Sequence, residues 1–291
     1  MKEILVISGK GGAGKTSVAT ALSFFINRND IIVDCDVDAA DMHILLHPDY
    51  SQKFDFFSGK ECEVISDKCS GCGICEENCH YSAIKVINNI ASIDQLECEH
   101  CLLCYNVCPE NAIKVSDMHC GEYFISNTRT GKTLVHARLF SGADNSGKLV
   151  STVRTEAKKV AQSKKSDFIL IDGPPGIGCP VIASITGINY AVLVTEPTLS
   201  GLSDLKRVVE IVNHFKVKSG CIINKATINI EIKKEIEKFC SESNIPILGE
   251  ISYNKNFYSA LTEKKSIVEI DEGFKKIFKN IWEKILNEIK K

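Results

Sequence analysis

Residues 8–17 read SGKGGAGKTS, and within them Gly9, Gly14, Lys15 and Thr16 satisfy the pattern G-x-x-x-x-G-K-[ST]. The chemistry of that spacing is phosphate binding. Glycines let successive backbone N–H groups close around an anion, and a helix starting at the loop adds its partial positive charge. Lys15 is placed for the β- and γ-phosphates, and Thr16 for Mg²⁺. Gly11, Gly12, Ala13, Gly14, Lys15, Thr16 and Ser17 are therefore the expected nucleotide-binding loop. Phosphate binding of this kind needs one lysine, yet Lys10 supplies a second.

Cysteine carries the other chemistry. The chain has 14, and eight of them fall between Cys69 and Cys108. Two stretches there align at an offset of 29 residues, KCSGCGICEENCHYSAIKV and ECEHCLLCYNVCPENAIKV, with eight of 19 positions identical. This is an internal duplication. Each half reads C-x2-C-x2-C-x3-C, the spacing that holds a 4Fe-4S cluster, with the fourth cysteine reaching the neighbouring cluster. The expected ligand sets are Cys69, Cys72, Cys75 and Cys108 for one cluster, and Cys79, Cys98, Cys101 and Cys104 for the other. Two zinc sites would not demand eight thiolates in a tandem three-plus-one pattern, and disulfides fit poorly with a cytosolic chain. Pro109 follows the last cysteine as the motif asks, whereas His80 takes that place in the first half.

The elements that must position these groups are legible around them. EILVIS is a continuous apolar run, as in a parallel strand buried on both faces, and it runs directly into the glycine loop. KTSVATALSFFIN has helical periodicity, and DIIVDCD is a second apolar strand. After the cysteines the alternation resumes. DFILIDG, YAVLVTE, SGCIIN and IPILGEIS are strand-like, with helical segments at 146–163, 200–215 and 229–242 between them. Such alternation predicts an α/β fold with a doubly wound, mostly parallel sheet and ligands at the carboxyl ends of its strands. Residues 121–140 break the pattern and read as a hairpin. The organisation expected is a discontinuous P-loop ATPase domain, 1–61 and 119–291, with an inserted α+β, ferredoxin-like domain at 62–118.

Composition sets the outer bounds. With 35 basic and 37 acidic residues the net charge is −2, which gives no electrostatic footprint for nucleic acid. No charged-then-apolar leader precedes the first strand, and no apolar run reaches the roughly 18 residues of a membrane span. A soluble, cytoplasmic chain is expected.

K-G-G-x-G-K-T is the deviant Walker A signature, and the chain resembles the MinD/ParA/Mrp class of P-loop ATPases, which includes the nitrogenase iron protein. It is most similar to members carrying an inserted two-cluster ferredoxin domain. The likeness rests on SGKGGAGKTS, DCDVDAADMHILL, the cysteine pair, NSGKLV, DGPPGIGCPVIAS, TEPTLSGL and INK. It implies ATP or ADP with Mg²⁺ as ligand, and a homodimer formed on ATP binding in which Lys10 reaches the partner's phosphates. It implies that Asp36 orients the attacking water, that Asp172 supports Mg²⁺ beside Thr16, and that Asn224 contacts the base. Lys10, Lys15 and Asp36 are then the catalytic residues, which suits phosphoryl transfer, where charge neutralisation and a positioned water do most of the work. Asp38 is a second candidate beside Asp36, and capping of the following turn is the blander role of Asp34, Asp38 and Asp41. The strand end SYN at 252–254 departs from the class's P-x-D, which leaves base selectivity less defined than phosphate binding.

Six cysteines remain: Cys35, Cys62, Cys120, Cys179, Cys221 and Cys240. Most read as small apolar residues. By resemblance to the nitrogenase iron protein, Cys179 is either a ligand to a cluster shared across the dimer or a turn residue before Pro180. The C-terminal GFKKIFKNIWEKILNEIKK is amphipathic, with Phe274, Ile277, Phe278, Ile281, Trp282, Ile285 and Ile289 on one face. Closing the core is its expected role; MinD's membrane-binding helix is the alternative. The function expected is ATP-driven gating of electron transfer through two 4Fe-4S clusters to a redox or metalloprotein partner. Metallocluster assembly and MinD-like positioning are the alternatives.

Overall fold

A computed structural model describes residues 1–143 and 145–291. The chain forms two units. One comprises Met1–Phe54, Glu122–Leu139 and Asn145–Lys291, and the other Asp55–Gly121 with the short segment that starts at Phe140. The insert expected at 62–118 falls inside the second. In chain order the elements are β1 (Lys2–Ser8), α1 (Lys15–Ser23), β2 (Ile31–Asp34), α2 (Met42–Leu46) and β3 (Gln52–Val64). Then come α3 (Ile74–Glu77), β4 (Ile84–Ile87), β5 (Ile90–Ile93), α4 (Leu103–Val107), β6 (Ile113–Asn127) and β7 (Thr133–Leu139). The rest alternates: α5 (Ser146–Lys164), β8 (Phe168–Pro175), α6 (Cys179–Ile185), β9 (Tyr190–Thr195), α7 (Leu199–His214), β10 (Lys218–Asn224), α8 (Ile230–Glu242) and β11 (Ile247–Ile251). Three helices close the chain: α9 (Asn256–Thr262), α10 (Ile267–Ile270) and α11 (Glu272–Lys290).

The first unit is a doubly wound α/β sheet. Its strands run in the order β11-β10-β9-β1-β8-β2-β7, with the part of β6 from Glu122 onward beside β7. Each pair from β11 to β7 is parallel. The central strands are apolar throughout because helices cover both faces: Ile4, Leu5, Val6 and Ile7 are fully buried. The consequence for function lies at one edge. The loops after β1, β2, β8, β9 and β10 all leave from the carboxyl ends of neighbouring parallel strands, so residues far apart in sequence converge there. The expected hairpin is β6–β7, adjacent in the sheet.

Two helical expectations need correction or choice. The periodicity of 15–27 predicts a helix four residues longer than α1, which ends at Ser23. The amides of Phe24 and Phe25 turn back to Ala21 and Leu22, so Phe24, Phe25 and Ile26 reach the same core from a loop. Their hydrophobicity reflects that burial and not a continued helix. At the C-terminus, Asp271 caps α11 by accepting from Gly273 and Phe274. Phe274, Phe278, Ile281, Trp282 and Ile285 are buried in the main core, and Ile277 and Ile289 pack against it. A Cβ on Gly249 of β11 would lie 2.5 Å from Ile281 Cγ1, so the close approach of α11 to the sheet depends on that glycine. Each such side chain contributes about 1.5–3 kcal/mol when fully buried, so exposing this face to reach a lipid surface carries a large cost. Among the described residues, no helix is long and apolar enough to cross a membrane.

The second unit displays the duplication in three dimensions. Helices α3 and α4 start 29 residues apart, at Ile74 and Leu103, and each follows a left-handed residue, Gly73 or Leu102. Strand β4 and the start of β6 begin at Ile84 and Ile113, with the same spacing. Residues 61–64 of β3 correspond likewise to β5. β4 and β5 form an antiparallel pair, and Cys62, Cys75, Ile84, Ala91 and Ile113 make the unit's core.

Candidate functional site

The glycine loop lies between β1 and α1. Gly14 sits at the helix N-cap with φ 89°, and a Cβ there would come within 2.2 Å of Asn224 Nδ2, so only glycine fits. Lys15 is the first residue of α1 and is buried. Its ammonium lies 3.0 Å from Asp172 Oδ1 of β8 and 3.5 Å from Asp36 Oδ2 in the loop after β2. Burial opposes the Lys15 charge, but Asp172, Asp36 and Asp34 outweigh it and raise the pKa. Burial raises the pKa of Asp172, which Lys15 opposes, and the same two influences act on Asp36. Among the described residues Asp172 Oδ2, which is buried, has no hydrogen-bond donor, although the Thr16 side chain lies beside the carboxylate. An orphaned carboxylate oxygen next to a hydroxyl is the donor set a hard cation such as Mg²⁺ takes. Asp172 and Thr16 therefore fit the metal that the loop motif implies.

An open cleft lies over these groups, lined by Lys10, Gly11, Gly12, Gly14, Lys15, Thr16, Ser17, Asp36, Asp38 and Asp41 among others. Asn224, at the end of β10, is buried, and its amide donates to Ala13 O at 2.8 Å, so it braces the loop from below. Capping of α2 falls to Asp34, which accepts from Asp36 and Met42, both at 3.1 Å. Asp41 stands at the N-cap, but its side chain makes no capping hydrogen bond among the described residues, which corrects the capping role expected for it. Asp34 is buried beside Asp172, and burial first, then that neighbour, raise its pKa.

Lys10 does not face the cleft alone. Its ammonium is 2.7 Å from Glu196 Oε1, 2.9 Å from Ser200 Oγ and 3.4 Å from Thr198 Oγ1. The other Glu196 oxygen binds Lys225 Nζ at 2.7 Å, and Lys225 also donates to Gly12 O at 3.0 Å. Burial works against the Glu196 charge, and the two lysines prevail and hold its pKa down. Glu196 and Lys225 have no place in the sequence-derived site. They stand in TEPTLSGL and INK, which carry the resemblance, but nothing in those segments marks them as partners of a residue near position 10. Only the strand order, with β9 beside β1 and β10 beyond β9, brings them there. Cys179, exposed, is the first residue of α6, with Pro180 in the helix's opening turn as expected of a helix start.

In the second unit, two pockets gather cysteines. Cys69, Cys72, Cys75 and Cys108 line one; Cys79, Cys98, Cys101 and Cys104 line the other, with Cys62. The amides of Ala91 and Ala112 point at Cys69 Sγ and Cys108 Sγ, at 3.4 and 3.3 Å. Burial pushes the Cys75 thiol up, and pushes Cys104 up to about 12. Four cysteines gathered at one pocket are the sulfur donor set that a metal cluster takes, and backbone N–H donors around the sulfurs tune such a centre. Each cavity thus fits a metal centre with four sulfur ligands.

A glycine loop between a buried strand and a helix, a lysine against two carboxylates at the carboxyl edge of a parallel sheet, and an orphaned oxygen beside a threonine define a P-loop ATPase. The chain belongs to the CobQ/CobB/MinD/ParA nucleotide binding domain family, whose model matches residues 4–267. It is 34% identical over 236 residues to an uncharacterized protein of Methanocaldococcus jannaschii, covering 78% of this chain and 79% of that one. The septum site-determining protein MinD of Pyrococcus horikoshii, solved with Mg-ADP, superposes with a TM-score of 0.57 at 20% identity, over 98% of this chain and 95% of that one. A 58-residue stretch is 38% identical to a component of the ion-translocating oxidoreductase complex of Methanosarcina acetivorans, covering 20% of this chain and 22% of that one.

Proposed function

We propose that the chain is an ATPase that couples a nucleotide-driven dimer switch to electron transfer through two 4Fe-4S clusters. The observation that carries this reading is the pair of four-cysteine cavities in a chain that also holds a P-loop ATPase site. Cys69, Cys72, Cys75 and Cys108 hold one cluster, and Cys79, Cys98, Cys101 and Cys104 hold the other. When bound, such clusters supply one-electron chemistry at potentials set by charge, hydrogen bonds and exposure. Two complete sets of four ligands suit relay better than donation, which favours fewer and more exposed ligands. In the ATPase unit, Lys15 exchanges its carboxylate partners for the β- and γ-phosphates. Thr16 and Asp172 take Mg²⁺, and Asp36 is then free to hold the attacking water. Lys10 acts on the nucleotide of a second copy of the chain. By resemblance to the family, Asn224, which braces Ala13 from below, is the residue assigned to the base.

Anaerobically purified protein is expected to contain about eight irons with equivalent acid-labile sulfide. Bound zinc without sulfide would end the reading. Cys79→Ser and Cys108→Ser should each damage the cluster held mainly by the other half's cysteines, visible as loss of about half the iron. The likeness to MinD structures favours a second reading, a positioning ATPase. The rate at which an external acceptor oxidises the reduced clusters decides between them. Electron gating makes that rate differ between ATP and ADP, and a positioning ATPase with structural clusters leaves it unchanged.

A further inference from the structure

The second cysteine cavity holds a sulfur that its ligand set does not use. Cys62 lies at the end of β3, is 1% exposed, and lines this cavity with Cys79, Cys98, Cys101 and Cys104. Cys62 also belongs to the unit's apolar core, against which Cys79 and Cys104 pack. Gln95 Nε2 donates to Cys62 O at 2.9 Å, which fixes the backbone at that point. Cys120, the other cysteine of this unit outside both sets, is by contrast bonded to Ser58 O at 2.9 Å and lines neither cavity.

The duplication shows that this position belongs to the cavity by the symmetry of the repeat. The offset of 29 residues carries Cys62 onto Ala91, and Ala91 lines the first cavity, where its amide donates to Cys69 Sγ at 3.4 Å. The same place in the two halves therefore holds a methyl group in one and a thiol in the other. The two cavities are inequivalent in the number of sulfurs they offer.

Resting on the reading that the cavities hold iron–sulfur clusters, we propose that Cys62 is a fifth, reserve ligand of the second cluster, able to replace Cys104. The exchange balances within the cavity. The Cys62 sulfur bonds the iron that Cys104 releases, the Cys62 thiol proton passes to the freed Cys104 sulfur, and no electron is gained or lost. A cluster able to change one ligand without leaving its cavity can alter its environment while staying bound, an option the first cluster lacks.

The test measures iron, acid-labile sulfide and the visible absorbance of anaerobically purified protein. Wild type is expected to hold about eight irons, Cys104→Ala also about eight, and Cys75→Ala, its counterpart in the first half, about four. Cys62→Ala alone should keep about eight, while Cys62→Ala with Cys104→Ala should fall to about four. Cys104→Ala protein that is folded by circular dichroism yet loses the second cluster overturns the reserve role and leaves the cluster reading intact. If Cys104→Ala fails to fold, Cys104→Ser, which preserves volume, takes its place, and equal iron with and without Cys62 in that background overturns the proposal. Wild-type protein without sulfide overturns the cluster reading and this inference with it.

Discussion

Lys15→Ala should lose tight nucleotide binding while Asp36→Asn retains it. Lys15 brings a buried ammonium to the phosphates, and its removal also leaves Asp172 and Asp36 facing the anion unneutralised. Losing charge-assisted bonds of this kind costs about 2–4 kcal/mol, or roughly 30- to 700-fold in affinity, measurable by calorimetric titration with ATP and Mg²⁺. Asp36→Asn keeps the loop and Lys15, so it should bind ATP and turn it over slowly, because the amide lacks the negative charge that polarises the attacking water. Wild-type hydrolysis by Asp36→Asn would remove Asp36 from the mechanism and make Asp38, which lines the same cleft, the next residue to test.

Lys15→Ala carries a second signature, in the protein without nucleotide. With the ammonium gone, burial acts on Asp172 with its main opposition removed, and the pKa of that carboxyl in the fold is already above its ordinary value. A buried carboxylate with a raised pKa makes the folded state bind more protons than the unfolded one, so stability falls as pH rises through the interval between the two values. The variant's melting temperature should therefore fall more steeply than that of wild type as pH rises above the ordinary carboxylate range. A parallel pH dependence would mean that the Asp172–Lys15 pair contributes little.

How much of this was legible in the sequence depends on the range of the signal. The loop, Lys15 and Thr16 are read from neighbours within ten residues, and the parallel sheet from runs of four to seven apolar residues, because both are written locally. Strand β3 is not legible, since QKFDFFSGKECEV mixes charge and aromatics and its exposed positions hide the alternation. Glu196 and Lys225 escape for a different reason: what makes them relevant to Lys10 is the strand order, which no local pattern encodes. A capping role is expected of Asp34, and it does cap. Its contact with the Asp172 side of the site follows from the β2–β8 register, in which Asp34 lies opposite Asp172. Cys62 reads as a small core residue, and it is one. Its second character appears only when the duplication is laid over the cavities.

Lys10→Ala should bind ATP within a few-fold of wild type, yet fail to dimerise and hydrolyse at least about 100-fold more slowly, the scale expected when a charge that meets the transferring phosphoryl group is lost. The structure states what this lysine must give up first. In the single chain its ammonium is engaged by Glu196, Thr198 and Ser200, so reaching the nucleotide of another copy requires it to leave them. The Lys10 side chain is 29% exposed, and ion pairs that open to water are worth no more than about 1 kcal/mol. A charge-assisted bond to phosphate returns about 1.5–3 kcal/mol, so transfer to a nucleotide is favourable, while without one the lysine stays at home. Glu196 is not stranded by the move, because Lys225 remains 2.7 Å from its other oxygen. Lys225 also holds Gly12 O, so the loop keeps its brace throughout. Sedimentation velocity with a non-hydrolysable ATP analogue reads the outcome, with Asp36→Asn and ATP as the dimer-competent control. Dimer formation by Lys10→Ala equal to that of wild type would confine this lysine to its contact with Glu196.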